Sequence, residues 1–355
     1  MTTHTIVTAD SRDLSMIADK SINLIVTSPP YPMIEMWDDM FCDQDSSIQV
    51  LLDNGDGYAA FNKMHDILDL IWTECDRVLI DNGFVCINIG DATRTVNDNF
   101  CLYSNHTRII DKFLSMGYCV LPDVLWRKQS NSPNKFMGSG MYPAGAYVTY
   151  EHEYILIFRK GGKRIFKGKD KELRQKSAFF WEERNVWFSD LWDVKGTSQK
   201  KLLTKNTRER NASFPFEIPY RLVNMYSAYG DTVLDPFAGL ATTNIACIAS
   251  NRNSIGVEID PEMAKIALKN IDVEIDDVNG IISSRVNNHL QFIDGLPIEK
   301  RERCYKNKNH GFKVKTKQEM AIEIDLIDYN ERIDNSYHYY YKEYSQMPKQ
   351  LYVAI

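Results

Sequence analysis

The feature that most constrains this chain is a strand-then-helix alternation that is interrupted once and then resumes. Residues 20–28 (KSINLIVTS) are a short apolar run entering a Pro29-Pro30 turn, which predicts a buried strand. From Tyr58 to Leu79, the positions Phe61, Met64, Ile67, Leu68, Ile71, Cys75, Val78 and Leu79 recur at helical spacing. Asp81-Asn82-Gly83 then predicts a turn into a strand over 84–89, followed by a helix over 104–116 and strands over 118–126 and 153–158. After residue 210 come a helix over 217–228, a strand over 232–234, a helix over 241–250 and a strand over 254–259. A last helix opens at Asp260-Pro261-Glu262, with Asp as N-cap and Pro in the first turn. Such alternation predicts an α/β fold, a mostly parallel sheet flanked by helices. Residues 32–57 mix Asp, Gln, Ser and Gly and are expected to be a mobile loop. The Tyr-rich run 337–344 is expected to lie in a packed extension.

The interruption is basic. Residues 159–210 hold 16 Lys and Arg against 7 Asp and Glu, in a chain whose net charge is −6. Segregation of this kind leaves two readings open, a cationic face for a polyanion or a solvated surface segment. No apolar stretch approaches the ~18–20 residues of a spanning helix. Asp10, Arg12 and Asp13 come too early for a signal peptide, so the expectation is a cytoplasmic protein without a membrane partner. The seven cysteines include no C-x-x-C pair, and Leu156 breaks the H-E-x-x-H pattern begun at His152-Glu153. Reduced thiols and no metal are expected.

Two turns bear on chemistry. In Thr27-Ser28-Pro29-Pro30-Tyr31, at the end of the first strand, two prolines lack N–H groups and leave their carbonyls as fixed acceptors. Ser28 adds a hydroxyl and Tyr31 a flat ring. That set suits a planar group bearing an NH2, although a plain Pro-Pro turn capping a strand has the same residues. The second turn is Asp235-Pro236-Phe237-Ala238-Gly239-Leu240-Ala241-Thr242-Thr243, between strand and helix. Gly239 admits close approach of a ligand. Glu258, nineteen residues later at the next strand's end, stands where an acid grips ribose hydroxyls. The pattern is not G-x-G-x-x-G, which favours a ribose-bearing cofactor without pyrophosphate over a dinucleotide. A turn serving only the core remains the alternative.

Together, Thr27–Tyr31, Asp235–Thr243 and Gly256-Val257-Glu258 resemble the amino-methylating DNA methyltransferases, which modify N4 of cytosine or N6 of adenine. The Ser-Pro-Pro-Tyr block precedes the cofactor turn, the circularly permuted order of the β class. Residues 81–91, 150–160 (YEHEYILIFRK) and Phe214-Pro215-Phe216 match further blocks in order, so the resemblance covers most of residues 1–275. Leu240-Ala241 departs from the family's usual Ser-Gly.

The resemblance implies a Rossmann-like methyltransferase fold and S-adenosylmethionine as cofactor. Asp10, Thr27, Asp235, Pro236, Phe237, Gly239, Thr242, Thr243 and Glu258 would bind it. Ser28, Pro29, Pro30 and Tyr31 would act on an amine of a base flipped out of duplex DNA. Ser before Pro-Pro-Tyr favours N4 of cytosine over N6 of adenine. The implied division is 1–160 for the catalytic half, 161–210 for target recognition, 211–275 for the cofactor half and 276–355 for a C-terminal extension. Lys135, Lys163, Arg164, Lys167, Lys169, Lys200, Lys201 and Lys205 are the expected DNA contacts. Double-stranded DNA is the implied partner, and the resemblance admits a cognate restriction endonuclease and either a monomer or a homodimer. Rival readings are a nicotinamide-dependent oxidoreductase built on 235–258 and a DNA-binding module without turnover.

Overall fold

The structure is a computed structural model that describes residues 1–128, 137–195 and 214–344; Lys135, Lys200, Lys201 and Lys205 lie outside them. Ten strands form one sheet: β1 Thr2–Thr8, β2 Ile22–Thr27, β3 Leu79–Ile89, β4 Cys119–Arg127, β5 His152–Arg159, β6 Leu191–Trp192, β7 Thr232–Asp235, β8 Asn253–Glu258, β9 Asp325–Ile333 and β10 Ser336–Glu343. Their spatial order is β6-β4-β5-β3-β2-β7-β8-β1-β10-β9. The central run β3-β2-β7-β8-β1 is parallel throughout, so all five strands end on one rim. β5 runs antiparallel between β3 and β4, and β10 antiparallel beside β1.

β2 carries the buried Ile22, Leu24, Ile25 and Val26 on both of its faces because both sheet faces are covered. One face packs on α1 Asp38–Gln44, α2 Ser47–Asp53, α3 Gly57–Val78 and α4 Asn105–Ser115. The other packs on α5 Glu217–Tyr226, α6 Thr242–Ile248, α7 Pro261–Asn270 and α8 Ile275–Asp294. Asp56 caps α3 by accepting from Ala59 N at 3.1 Å.

Two expectations change and one strand is added. The segment 32–57 is not a loop: α1 and α2 lie within it and anchor through Phe41 and Ile48, both fully buried. The chain also begins with β1, whose inward residues include Thr2 and His4. His4 bonds Thr2 and Ser254, each at 2.8 Å, and burial pushes its imidazole down to about 3, so it stays neutral. Finally, β3 runs through Asp81–Gly83 rather than starting after it. Asn82 there adopts φ 69°, and the register with β2 shifts between Ile22 and Leu24.

The C-terminal region joins the same sheet as the β9–β10 hairpin. Tyr337, Tyr339 and Tyr341 alternate into the second core. Tyr339 donates to Ile271 O at 2.5 Å and Tyr341 to Ile248 O at 2.9 Å. Among the described residues no helix is long and apolar enough to cross a membrane.

Candidate active site

The parallel strands deliver both turns to one rim, and a short buried hydrogen bond joins them. Thr27 Oγ1, at the end of β2, donates to Asp235 Oδ1 at 2.6 Å, at the end of β7. Thr243 Oγ1 donates to the other oxygen at 2.7 Å, and Phe237 N to Oδ1 at 3.1 Å. Thr243 Oγ1 also reaches Val26 O at 3.3 Å. Burial pushes the Asp235 carboxyl up to about 6, against the opposing pull of these donors. Between about pH 4 and 6 the folded Asp235 keeps a proton that the unfolded chain has released. Stability therefore falls as pH rises through that window, by roughly 3 kcal/mol, and levels off above it. Asp325 is pushed to about 6 as well and adds to the same slope. Asp235→Asn is expected to remove only the Asp235 share, measured as urea stability at about pH 4 and pH 7 beside wild type. Identical slopes in the two proteins would refute the assignment.

Glu258 closes the second turn. Its carboxylate accepts Gly239 N at 2.9 Å and Asp260 N at 3.0 Å, and burial raises it above the usual carboxylate range. Gly239 sits at φ 49°, and a Cβ built there would meet nothing nearer than Phe237 O at 3.9 Å, so the backbone faces open space. Ala241 holds φ 62° where glycine would be at ease. A left-handed alanine costs about 1–2 kcal/mol, of which burial of its methyl recovers about 0.8 kcal/mol. The segment after β1 reaches the same rim. Ala9 N donates to Glu258 O at 3.0 Å and Ser11 Oγ to Pro236 O at 2.6 Å. Asp10 pairs with Arg12, whose hydrogen bonds hold its carboxyl below the usual range. Thus Asp10, Thr27, Asp235, Pro236, Phe237, Gly239, Thr242, Thr243 and Glu258 are brought together. Each Glu258 oxygen accepts one backbone N–H and keeps a second lone pair, which beside the open backbone at Gly239 fits a ribose hydroxyl.

Ser28, Pro29, Pro30 and Tyr31 continue from Thr27 on that rim. Tyr31 OH donates to Glu153 Oε2 at 2.9 Å and lies 3.1 Å from Ser28 Oγ. Asn88 Nδ2 donates to Tyr31 OH and to Glu153 Oε2, each at 2.7 Å. Lys128 pairs with the other Glu153 oxygen. Burial, followed by the Glu153 charge, raises the Tyr31 phenol well above its ordinary range, so it keeps its proton. The ring edge rests on Gly90, where a Cβ would come within 3.0 Å of it. Beside it, Asp91 accepts from His106 Nδ1 at 2.7 Å and Tyr150 OH at 3.1 Å. Burial works to raise Asp91, but these bonds outweigh it and leave the carboxyl below its ordinary range. Asn88, Lys128 and Glu153 were not among the expected site residues. The available signal was polarity at the end of an apolar strand, in VCINI and HEYILIF.

A match to the family model described as DNA methylase, of the N6/N4 methyltransferase type, spans residues 22–269. The chain belongs to this DNA methylase family. Over 346 residues it is 50% identical to the type II methyltransferase M.MthZI of Methanothermobacter thermautotrophicus, covering 96% of each chain. It is 47% identical over 284 residues to M.MjaI of Methanocaldococcus jannaschii, covering 77% of this chain and 92% of the relative. Among solved structures, a putative DNA modification methylase from Thermus thermophilus, complexed with S-adenosyl-L-methionine, is similar at 30% identity and TM-score 0.57. The likeness covers 76% of this chain and 94% of that one. The cytosine-N4-specific PvuII DNA methyltransferase shares the fold, at 16% identity and TM-score 0.52 over 81% of this chain and 94% of that one.

In this DNA methylase the basic residues divide between two ends of the sheet. Lys163, Arg164, Lys167 and Lys169 follow β5, which ends at Arg159 opposite Phe84, on the rim away from Ser28. Arg164 makes a two-pronged pair with Asp231 at 2.6 and 2.8 Å, at the start of β7. Roughly 13 Å of strand separates Asp231 from Asp235. These four residues are therefore not brought to the Ser28 rim. The reason is strand direction: antiparallel β5 carries the chain away from it. Among the described residues, Arg127 and Lys128, ending β4, and Lys195, just after β6, are cations that lie on the Ser28 rim. Of the interleaved aromatics, Phe180, Trp187 and Trp192 are buried in the core.

Proposed function

We propose that this chain transfers a methyl group from S-adenosylmethionine to the N4 amine of a cytosine flipped out of double-stranded DNA. The observation that carries the reading is the Thr27–Asp235 bond of 2.6 Å, which couples the Ser28–Tyr31 turn to the turn closed by Glu258. Cofactor held at the second turn would thereby present its reactive end to the first. Bound there, S-adenosylmethionine supplies an electrophilic methyl on a sulfonium.

The chain's own residues do the rest. Glu258 and Asp10 accept from ribose hydroxyls, and Phe237, edge-on to Trp72 at 5.9 Å, lines the pocket. Ser28 Oγ and the Pro29 carbonyl accept the two amine hydrogens, which frees the nitrogen lone pair and aims it at the methyl. Tyr31 stacks on the base; its ring is fixed at the edge by Gly90 and at the hydroxyl by Glu153. No cysteine follows a proline in this sequence, so the thiolate route to C5 of cytosine lacks its nucleophile. Arg127, Lys128 and Lys195 on the Ser28 rim, with Lys135, Lys200, Lys201 and Lys205 from the segments next to them, contact phosphate. Ser28 at the head of Pro-Pro-Tyr supports cytosine.

The test is direct. DNA from cells expressing the chain is digested and its nucleosides are identified by mass spectrometry, with N4-methylcytosine expected. N6-methyladenine would change the base and leave the rest intact; unmodified DNA from an expressed, cofactor-binding protein would overturn the reading.

A further inference from the structure

We propose that Glu153 sets the direction of a hydrogen-bond chain from Ser28 through Tyr31, making Ser28 an acceptor toward the target amine and receiving the proton that the amine loses. The proposal rests on the methyl-transfer reading above and deepens it.

Donors and acceptors at four groups fix the sense of the chain. Tyr31 has a single hydroxyl proton, and it goes to Glu153 Oε2 at 2.9 Å. An ionised carboxylate only accepts, so that bond has one sense. Asn88 Nδ2 only donates, and at 2.7 Å it fills one acceptor position on the same phenol oxygen. The remaining contact on that oxygen, Ser28 Oγ at 3.1 Å, must then have Ser28 as its donor. With its own proton committed and one lone pair facing Asn88 Nδ2 at 3.4 Å, Ser28 Oγ keeps the other lone pair for an incoming N–H. Without the carboxylate the phenol proton could turn to Ser28, and Ser28 would then face the amine with its O–H.

The same chain disposes of a proton. When the amine nitrogen bonds to the methyl carbon, the carbon–sulfur bond breaks with its electrons going to sulfur. The nitrogen, now cationic, must release one proton. It passes to Ser28 Oγ as the Ser28 proton passes to Tyr31 and the Tyr31 proton to Glu153 Oε2. Three protons each shift one step, the net transfer is one proton from the amine to Glu153, and each hydroxyl ends with one proton. Lys128 holds Oε1 and leaves Oε2 for Tyr31. Among the described residues, the charged and titratable groups bonded to Glu153 are Lys128 from β4 and Tyr31 from the turn after β2. Neighbouring Glu151 is engaged by Arg127 at 3.8 Å, and Asp91, His106 and Tyr150 bond to one another.

Glu153→Gln keeps size and removes the charge. In single-turnover assays on duplex DNA it is expected to slow transfer on the order of 100-fold. Cofactor affinity by calorimetry should stay within about twofold, because no residue of the 235–258 turn bonds Glu153. Tyr31→Phe should slow transfer similarly, and the double variant should be no slower than either single one. In the cofactor-free proteins, the tyrosinate absorbance that Tyr31→Phe removes should rise at lower pH in Glu153→Gln than in wild type. A wild-type transfer rate in Glu153→Gln, or multiplicative losses in the double variant, would overturn the relay alone. A wild-type protein that binds cofactor but methylates no DNA would instead overturn the function beneath it.

Discussion

Replacing Tyr31 by alanine is expected to lower single-turnover methyl transfer by two to four orders of magnitude, about 10²–10⁴, while leaving cofactor affinity within about twofold. Two contributions add. Loss of the ring removes stacking on the extruded base, a contribution of about 1–3 kcal/mol. Loss of the hydroxyl removes the partner that commits the Ser28 proton. Cofactor affinity is spared because Tyr31 bonds Ser28, Asn88 and Glu153 and nothing in the 235–243 turn. Glu153 does not become an orphan in the variant, since Asn88 at 2.7 Å and Lys128 still hold it. Calorimetry with S-adenosylmethionine and rapid-quench transfer assays on one protein batch measure both quantities. A collapse of cofactor affinity would put Tyr31 in the wrong pocket. Tyr31→Phe, which keeps the stacking face, should fall between alanine and wild type in DNA affinity.

The two turns that carry these expectations were legible because backbone chemistry marks them. Paired prolines after an apolar run, and a glycine bend followed at the next strand's end by an acid, are local patterns, and a parallel sheet delivers strand ends to one rim. What sequence could not give is which residues meet across strands. Glu153 looked like part of a failed metal pattern, yet β5 pairs with β3 so that Glu153 lies next to Tyr154, the partner of Ile89, close to Asn88. Lys163, Arg164, Lys167 and Lys169 follow as DNA contacts from the resemblance and the local charge, and neither reveals strand direction. Because β5 runs antiparallel, the basic segment leaves from the far end of the sheet. β1 escaped notice because two of its buried residues are Thr2 and His4, which balance polarity through mutual hydrogen bonds rather than apolar pattern. The helices in 38–53 are seven residues each, too short for a periodic signal, and each is held by one apolar anchor.

Glu258→Gln is the sharper test of the second turn, because it changes one atom and leaves the volume alone. The carboxylate now satisfies two backbone donors at once, Gly239 N and Asp260 N. A glutamine offers one oxygen and one NH2, so in either orientation a donor faces a donor. One N–H loses its partner at a site that burial already makes costly for polar groups, a penalty of about 1–3 kcal/mol. On the proposed reading the ribose loses a charged acceptor as well, worth about 1.5–3 kcal/mol. The first cost falls on the free protein too and shows as lost stability; the second is expected to weaken S-adenosylmethionine binding by roughly 10- to 100-fold, since each 1.4 kcal/mol is about tenfold. Glu258→Asp keeps the charge but is one methylene short of spanning both amides, and should recover only part of the loss. The Ser28–Tyr31–Glu153 chain lies across the Thr27–Asp235 bond from this change. At saturating cofactor, transfer by Glu258→Gln should therefore return to within about tenfold of wild type, the pattern of lost uniform binding. A variant that binds cofactor normally and fails in transfer would mean that Glu258 works at the methyl rather than at the ribose.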